Sequence, residues 1–245
     1  MDILMTNDDG IESEGIILLA EALADKGHTV TVCAPAENQS ATSHSITLRK
    51  EYRVKKITKK HKNIIYYSIF AKPVDCVQFA LCHLKMHPDL LISGINNGMN
   101  IGSDVLYSGT VGAACEGLFC GIKSWSVSVF YHDRGISYSF KPAVDFIMQH
   151  FDELYAATLE ESFLNINIPV HEIARDICFC KLAKCEYDMQ VQEISDGLFV
   201  MNGLPTDFDK AEPDSDLYYI CRGYATVTPL RCDMTDYTAL QRLKQ

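Results

Sequence analysis

Two adjacent carboxylates, Asp8 and Asp9, stand in the run Thr6-Asn7-Asp8-Asp9-Gly10, directly after an aliphatic stretch that reads as a buried strand. Side by side at a strand tip they repel each other, which costs free energy unless a cation or hydrogen-bond donors offset it. A second polar run, Ser93-Gly94-Ile95-Asn96-Asn97-Gly98-Met99-Asn100, follows another aliphatic stretch and brings the amide oxygen of Asn96. The loop Pro35-Ala36-Glu37-Asn38-Gln39-Ser40 adds the hydroxyl of Ser40. Carboxylate, amide and hydroxyl oxygens together suit a hard divalent ion such as Mg²⁺ or Mn²⁺, whereas zinc would call for His or Cys.

Further on, Asn100 to Ala114 leads into a helix through Ser108, Gly109 and Thr110. Two hydroxyl donors, a glycine that lets backbone N–H groups approach closely and a helix N-terminus make an anion site. An ordinary Ser/Thr helix cap reads equally well from this segment alone. A hard cation beside a phosphate cradle supports phosphoester hydrolysis by water, with no covalent nucleophile required. Enzymes that form an aspartyl phosphate place Asp-x-Asp-Gly at the end of the first strand. Here Asn7 holds the nucleophile's place, and an amide cannot form the acyl phosphate.

The elements that position these groups follow from periodicity. Ile3 to Thr6 reads as a strand. Gly15 to Lys26 reads as a helix with apolar Ile16, Leu19, Ala20 and Leu23, and His28 to Ala34 as a second strand parallel to the first. The alternation continues with strands at 64–70, 90–95 and 126–130 and helices from Pro73 to about Leu84, from about Thr110 and over 140–155. It closes on Phe163 to Pro169, expected as the last core strand. This is a doubly wound α/β sheet, and both polar runs lie where such sheets keep their ligands, beyond the carboxyl ends of parallel strands. Residues Asp176 to Asn202 read as hairpin strands, with polar turns at 207–216, a strand at 224–228 and a short helix from Asp236. The expectation is a single domain over 1–245, its core at about 1–170 and an oligomerisation arm and tail at about 171–245.

A net charge of −10 argues against a nucleic-acid polymer as partner, and no apolar run reaches the roughly 20 residues of a membrane span. The start shows no secretory signal pattern, so a cytoplasmic location is expected. Eight of the 22 Lys and Arg residues fall between Arg49 and Lys62, read as a lysine-protected hairpin edge rather than a polyanion patch. Ten cysteines are scattered without a Cys-x-x-Cys pair; Cys178, Cys180 and Cys185, with His171 upstream, read as structural strand residues rather than a metal site.

At this point the chain resembles the SurE family of nucleotidases. The resemblance rests on Thr6-Asn7-Asp8-Asp9-Gly10-Ile11, Ala34-Pro35 with Asn38-Gln39-Ser40, Ser45-Ile46-Thr47-Leu48 and Ser93-Gly94-Ile95-Asn96. It continues through Asp104-Val105 with Tyr107-Ser108-Gly109-Thr110-Val111, Asn165-Ile166-Asn167-Ile168-Pro169 and Gly223-Tyr224 with Val227-Thr228-Pro229-Leu230. The resemblance implies a metal-dependent phosphatase acting on nucleoside 5′- and 3′-monophosphates, and on short-chain polyphosphate as a further substrate, with one Mn or Mg ion per subunit. By the same resemblance Asp8, Asp9, Ser40 and Asn96 hold the metal, with Asp8, Asp9 and Asn96 catalytic. Asn38, Asn100, Ser108, Gly109 and Thr110 surround the phosphate. A Rossmann-like, three-layer α/β/α core with a protruding hairpin and a C-terminal tail exchanged between subunits is implied, and with it a homodimer or homotetramer. Three places depart from the family pattern: Glu12-Ser13-Glu14-Gly15 for His-Ala-Pro-Gly, Ala71-Lys72-Pro73 for Gly-Thr-Pro, and Ala41 for the glycine after the ligand serine. None removes a ligand.

Overall fold

The computed structural model describes residues 1–58, 63–131, 138–171, 173–184, 187–205 and 211–244. Its strands are β1 (Asp2–Thr6), β2 (Thr29–Pro35), β3 (Val54–Ile57), β4 (Ile64–Ile69), β5 (Leu90–Asn96), β6 (Ser124–Phe130), β7 (Phe163–Pro169), β8 (Arg175–Phe179), β9 (Tyr187–Ser195), β10 (Leu198–Pro205) and β11 (Tyr224–Leu230). The helices are α1 (Glu14–Asp25), α2 (Pro73–Gln78), α3 (Gly109–Phe119), α4 (Lys141–Gln149), α5 (Phe151–Ala157), α6 (Asp216–Ile220) and α7 (Tyr237–Leu243). One sheet runs β3-β4-β2-β1-β5-β6-β7-β11-β8, parallel from β4 to β7.

The central strands are aliphatic without a break because both faces are covered. Ile3, Leu4 and Met5 of β1 have no exposed surface. Ile3 and Met5 pack with Leu19 and Leu23 of α1 and Phe146 of α4 on one face. Leu4 turns to the other face, with Cys76 and Val77 of α2 and Ala113 of α3. The chain goes leftward from β1 through α1 to β2, and the neighbour on the other side of β1 is β5. The winding reverses between them, so a crevice opens beyond the tips of β1 and β5, where Asp8, Asp9, Asn96 and Asn97 lie.

Three expectations are corrected. The helix expected over 140–155 breaks at His150 (φ −101°, ψ 12°) into α4 and α5, which sets Phe151 against the buried Trp125 with ring centroids 5.3 Å apart. The helix from Pro73 gives way after Gln78 to a π-helical turn, Phe79–His83, where the Phe79 and His83 rings stack at 5.0 Å. Most important, β7 is not the last strand of the sheet. β11 lies antiparallel to it, and β8, expected in a hairpin, lies parallel to β11. Buried Ala225 and Val227 of β11 cover an edge whose backbone groups would otherwise lack partners.

β9 and β10 pair with each other as a hairpin outside the large sheet. The basic stretch forms the edge strand β3, with Lys55 over the Phe70 ring at 5.1 Å; residues 59–62 lie outside the described set, as do Cys185 and 206–210. No helix among the described residues is long and apolar enough to cross a membrane.

Asp216, fully buried, fastens the C-terminal region to the core. Its carboxylate accepts the N–H groups of Gly102, Ala183 and Leu217, each at 2.8 Å. Asp216→Ala strands these donors and lowers the unfolding free energy by on the order of 3 kcal/mol, with a smaller loss in Asp216→Asn, which keeps one acceptor oxygen. Urea denaturation of both variants checks this order.

Candidate active site

The turn after β1 is built by Asn7. Its buried amide donates to Gly10 O at 2.9 Å and Ser13 Oγ at 2.7 Å, and its Oδ1 accepts from Gly10 N–H at 3.2 Å. The side chain at the place of a covalent nucleophile is thus committed to holding the loop that presents the two carboxylates.

Each carboxylate has its own holder. Asp8, only 3% exposed, meets the first turn of α3: Thr110 donates its hydroxyl to Oδ1 at 2.5 Å and its N–H to Oδ2 at 3.1 Å. Asp9 meets the loop after β5, accepting the Asn97 N–H at 2.8 Å, and also the Asn38 amide at 3.4 Å. Burial pushes Asp8 up to about 6, with the Asp9 charge adding to the rise and the Thr110 bonds opposing it. Burial raises Asp9 as well, against the Asn97 hydrogen bond.

Close approach fixes the cradle. A Cβ on Gly109 would stand 2.8 Å from Thr42 Oγ1 and 3.0 Å from Asp8 Cβ, so only glycine lets α3 come this near. Ser108 caps α3 by accepting the Val111 N–H at 3.1 Å, the capping alternative of the sequence reading. The anion that occupies this helix N-terminus is the protein's own Asp8. From β2, the loop is pinned by Gln39 N–H on Asp8 O at 2.7 Å, by Ser40 N–H on Asn38 Oδ1 at 3.0 Å and by Ser43 Oγ on Leu106 O at 2.7 Å. Ala41 has φ 56°, the left-handed region that favours glycine, which explains the residue usual in the resemblance. His44 Nε2 lies 2.6 Å from Glu116 Oε2, and this bond holds the Glu116 carboxyl below its usual range.

Within β5, a cis peptide joins Gly94 to Ile95. The Asn96 amide nitrogen donates to Gly98 O at 2.7 Å, which fixes the amide's orientation and leaves Oδ1 as an oxygen donor. Asn100 lies beneath, 6% exposed. Its N–H donates to Asn167 Oδ1 at 2.8 Å and its amide to Ser128 Oγ at 2.8 Å, while its carbonyl accepts from Asn165 at 2.8 Å and Asn167 at 3.0 Å. The structure thus brings Asp8, Asp9, Asn38, Gly109 and Thr110 together by direct contact, ties Ser40 to Asn38, and gives Asn100 a bracing part. Sequence reasoning missed Asn97 and the tyrosine pair behind it. Tyr131 donates to Asn97 Oδ1 at 3.3 Å, Tyr138 bonds the same oxygen, and their rings stack at 4.5 Å. Residues 132–137 between the two tyrosines lie outside the described set, and no periodic signal in the sequence marks the pair.

Among the described residues, no three His, Cys, Asp or Glu side chains gather into a metal-binding group. The groups that do meet are the Asp8 and Asp9 carboxylates, the Asn38 amide and the Thr110 hydroxyl, with two formal negative charges and neither sulfur nor imidazole among them. Such a set fits a hard divalent cation and not a soft one.

Residues 3–189 match the family described as "Survival protein SurE". A Clostridium botulinum (strain Langeland) protein named 5′-nucleotidase SurE is 42% identical, over 100% of this chain and 98% of its own. A Clostridium beijerinckii protein of the same name is 38% identical, over 98% and 96%. The crystal structure of SurE protein from Aquifex aeolicus superposes with a TM-score of 0.82 at 30% identity, covering 100% of this chain and 98% of that one.

The native state binds the Asp8 proton more tightly than the unfolded chain does, because its folded pKa is the higher one. In EDTA, the stability this lends is full below the ordinary carboxylate pKa and is lost as pH rises through about 6, on the order of 3 kcal/mol in all. Denaturant titrations between pH 4 and 7.5 should therefore show wild type losing stability relative to Asp8→Asn; parallel curves would remove the assignment of that proton to Asp8.

Proposed function

The chain belongs to the SurE family, and from that premise we propose that it is a divalent-metal-dependent 5′-nucleotidase that also accepts nucleoside 3′-monophosphates. The observation that carries the reading is the pair Asp8 and Asp9 at the switch point of the sheet, each held by donors from a different flank.

Asp8, Asp9, Ser40 and Asn96 would hold one Mn or Mg ion. Bound there, a divalent ion polarises a phosphoryl oxygen and lowers the pKa of water. The protein's own groups do the rest. Asp8 orients the attacking water or takes its proton, Thr110 fixes the Asp8 carboxylate in one rotamer, and Asn97 does the same for Asp9. Asn38, Asn100, Ser108, Gly109 and Thr110 would lie around the phosphoryl group, and Asn100 also braces the loop that carries Asn96. A new bond from water oxygen to phosphorus replaces the bond to the nucleoside oxygen, without a phosphoenzyme, since Asn7 is committed to the turn. The expected location is the cytoplasm.

Purified protein stripped of metal is expected to release phosphate from 5′- and 3′-nucleoside monophosphates only when Mn²⁺ or Mg²⁺ is restored, and faster than from a generic aryl phosphate. Short-chain polyphosphate in the same panel reports whether that substrate is taken as well. Asp8→Asn should lower turnover by about 1,000-fold, about 4 kcal/mol of barrier, with an unchanged circular dichroism spectrum. Wild-type rates in that variant would remove Asp8 from the chemistry.

The proposal extends to assembly as a homodimer or homotetramer. On the hairpin, Val191, Phe199 and Met201 are 61%, 58% and 66% exposed, an apolar grouping of the kind that marks an interaction surface. Light scattering should give a multiple of the chain mass for wild type and a smaller species for Phe199→Glu with Met201→Glu; an unchanged mass in the double variant would place the interface elsewhere.

A further inference from the structure

Cys115 lies on α3, and Cys232 lies two residues beyond β11, 117 positions away in sequence. Their Sγ atoms are 2.7 Å apart, inside the roughly 3.5–4.0 Å of an ordinary non-bonded contact between heavy atoms. Cys232 Sγ also reaches the Cys115 carbonyl at 3.3 Å. Both thiols line one cavity of about 320 Å³, together with His44, Ser108, Leu230 and Met234. The cavity gives a small reagent a way to sulfurs that are otherwise half-buried.

The geometry points to Cys115 and Cys232 as a reversible disulfide site that, when oxidised, ties the segment after β11 to the helix holding Asp8. The oxidant is a low-molecular-weight disulfide of the glutathione class. The Cys232 thiolate attacks one of its sulfurs, the small S–S bond breaks and one thiolate leaves. The Cys115 thiolate then attacks the Cys232 sulfur of the mixed disulfide and expels the second small thiol. Two protein thiols are oxidised, one small disulfide is reduced to two thiols, and the two protons pass to the leaving groups. Burial and the adjacent Cys232 push the Cys115 thiol up, which assigns it the second, intramolecular step, where the neighbouring sulfur is already in place.

A second pair of cysteines is removed so that it cannot compete for the oxidant. Cys82 and Cys120 are exposed and border another cavity, but the Gln78 amide stands between them, accepting from Cys82 at 3.1 Å and facing Cys120 at 3.7 Å. In a Cys82→Ser, Cys120→Ser background, the full chain is incubated with glutathione disulfide or with dithiothreitol, alkylated, digested and mapped by mass spectrometry. The expected result is one linked peptide pair containing Cys115 and Cys232, short of two hydrogens, in a chain that stays monomeric on a non-reducing gel. Its thermal midpoint should lie above that of the reduced protein, because the bond closes a long loop of the unfolded chain. Cys232→Ser should lose both the link and the shift. Full alkylation of both thiols after oxidant, glutathione adducts without the link, or a link between two chains would each overturn the assignment.

Discussion

Everything at the crevice depends on one contact, the Asp8 carboxylate in the first turn of α3. A buried carboxylate without donors would cost several kcal/mol, and the N–H and hydroxyl of Thr110 supply donors from a helix terminus whose dipole favours negative charge. Holding Asp8 there frees Asp9 to face the other way, toward Asn97. The two charges are thereby kept adjacent and oriented by separate parts of the chain. Burial raises the affinity of both for protons, and at Asp8 the neighbouring Asp9 charge adds to the rise.

That arrangement demands rigid neighbours, and the core supplies them in polar form. Asn165 and Asn167 have no exposed surface, yet each is hydrogen-bonded, chiefly to the backbone of Asn100. Ser126 donates to Asn165 at 2.8 Å, and Ser128 accepts from Asn100 at 2.8 Å. Being two residues apart on one strand, the asparagines point to the same face, so β6 and β7 together present a polar floor under the loop that bears Asn96 and Asn97. An apolar floor would pack as densely but would leave the Asn100 backbone groups unpaired.

The legible part of this structure was the part fixed by short-range pattern. Aliphatic runs ending in Asp8-Asp9 and in Asn96-Asn97 locate two strand tips, and βαβ chirality makes those strands parallel, so the crevice follows from local signals. The contact between Asp8 and Thr110 spans 102 residues, and nothing in either segment alone announces it. Asn97 and the Tyr131–Tyr138 stack were invisible for the same reason, since their partners come from separate loops. Periodicity identifies a strand and not its neighbour, so the order of strands beyond β7 carries no local signal.

The insertion of β11 between β7 and β8 changes the meaning of the C-terminal third. With Asp216 gripping Gly102 and Ala183 and with β11 lying between β7 and β8, α6 and β11 stabilise the floor of the site. Loss of the β11 contacts would uncover the edge of β7, on which Asn165 and Asn167 stand, and so would reach Asn96 through Asn100. An arm that also forms part of the core transmits strain in both directions. Strand pairing carries such strain from β8 through β11 to β7, while among the described residues β9 and β10 pair with each other.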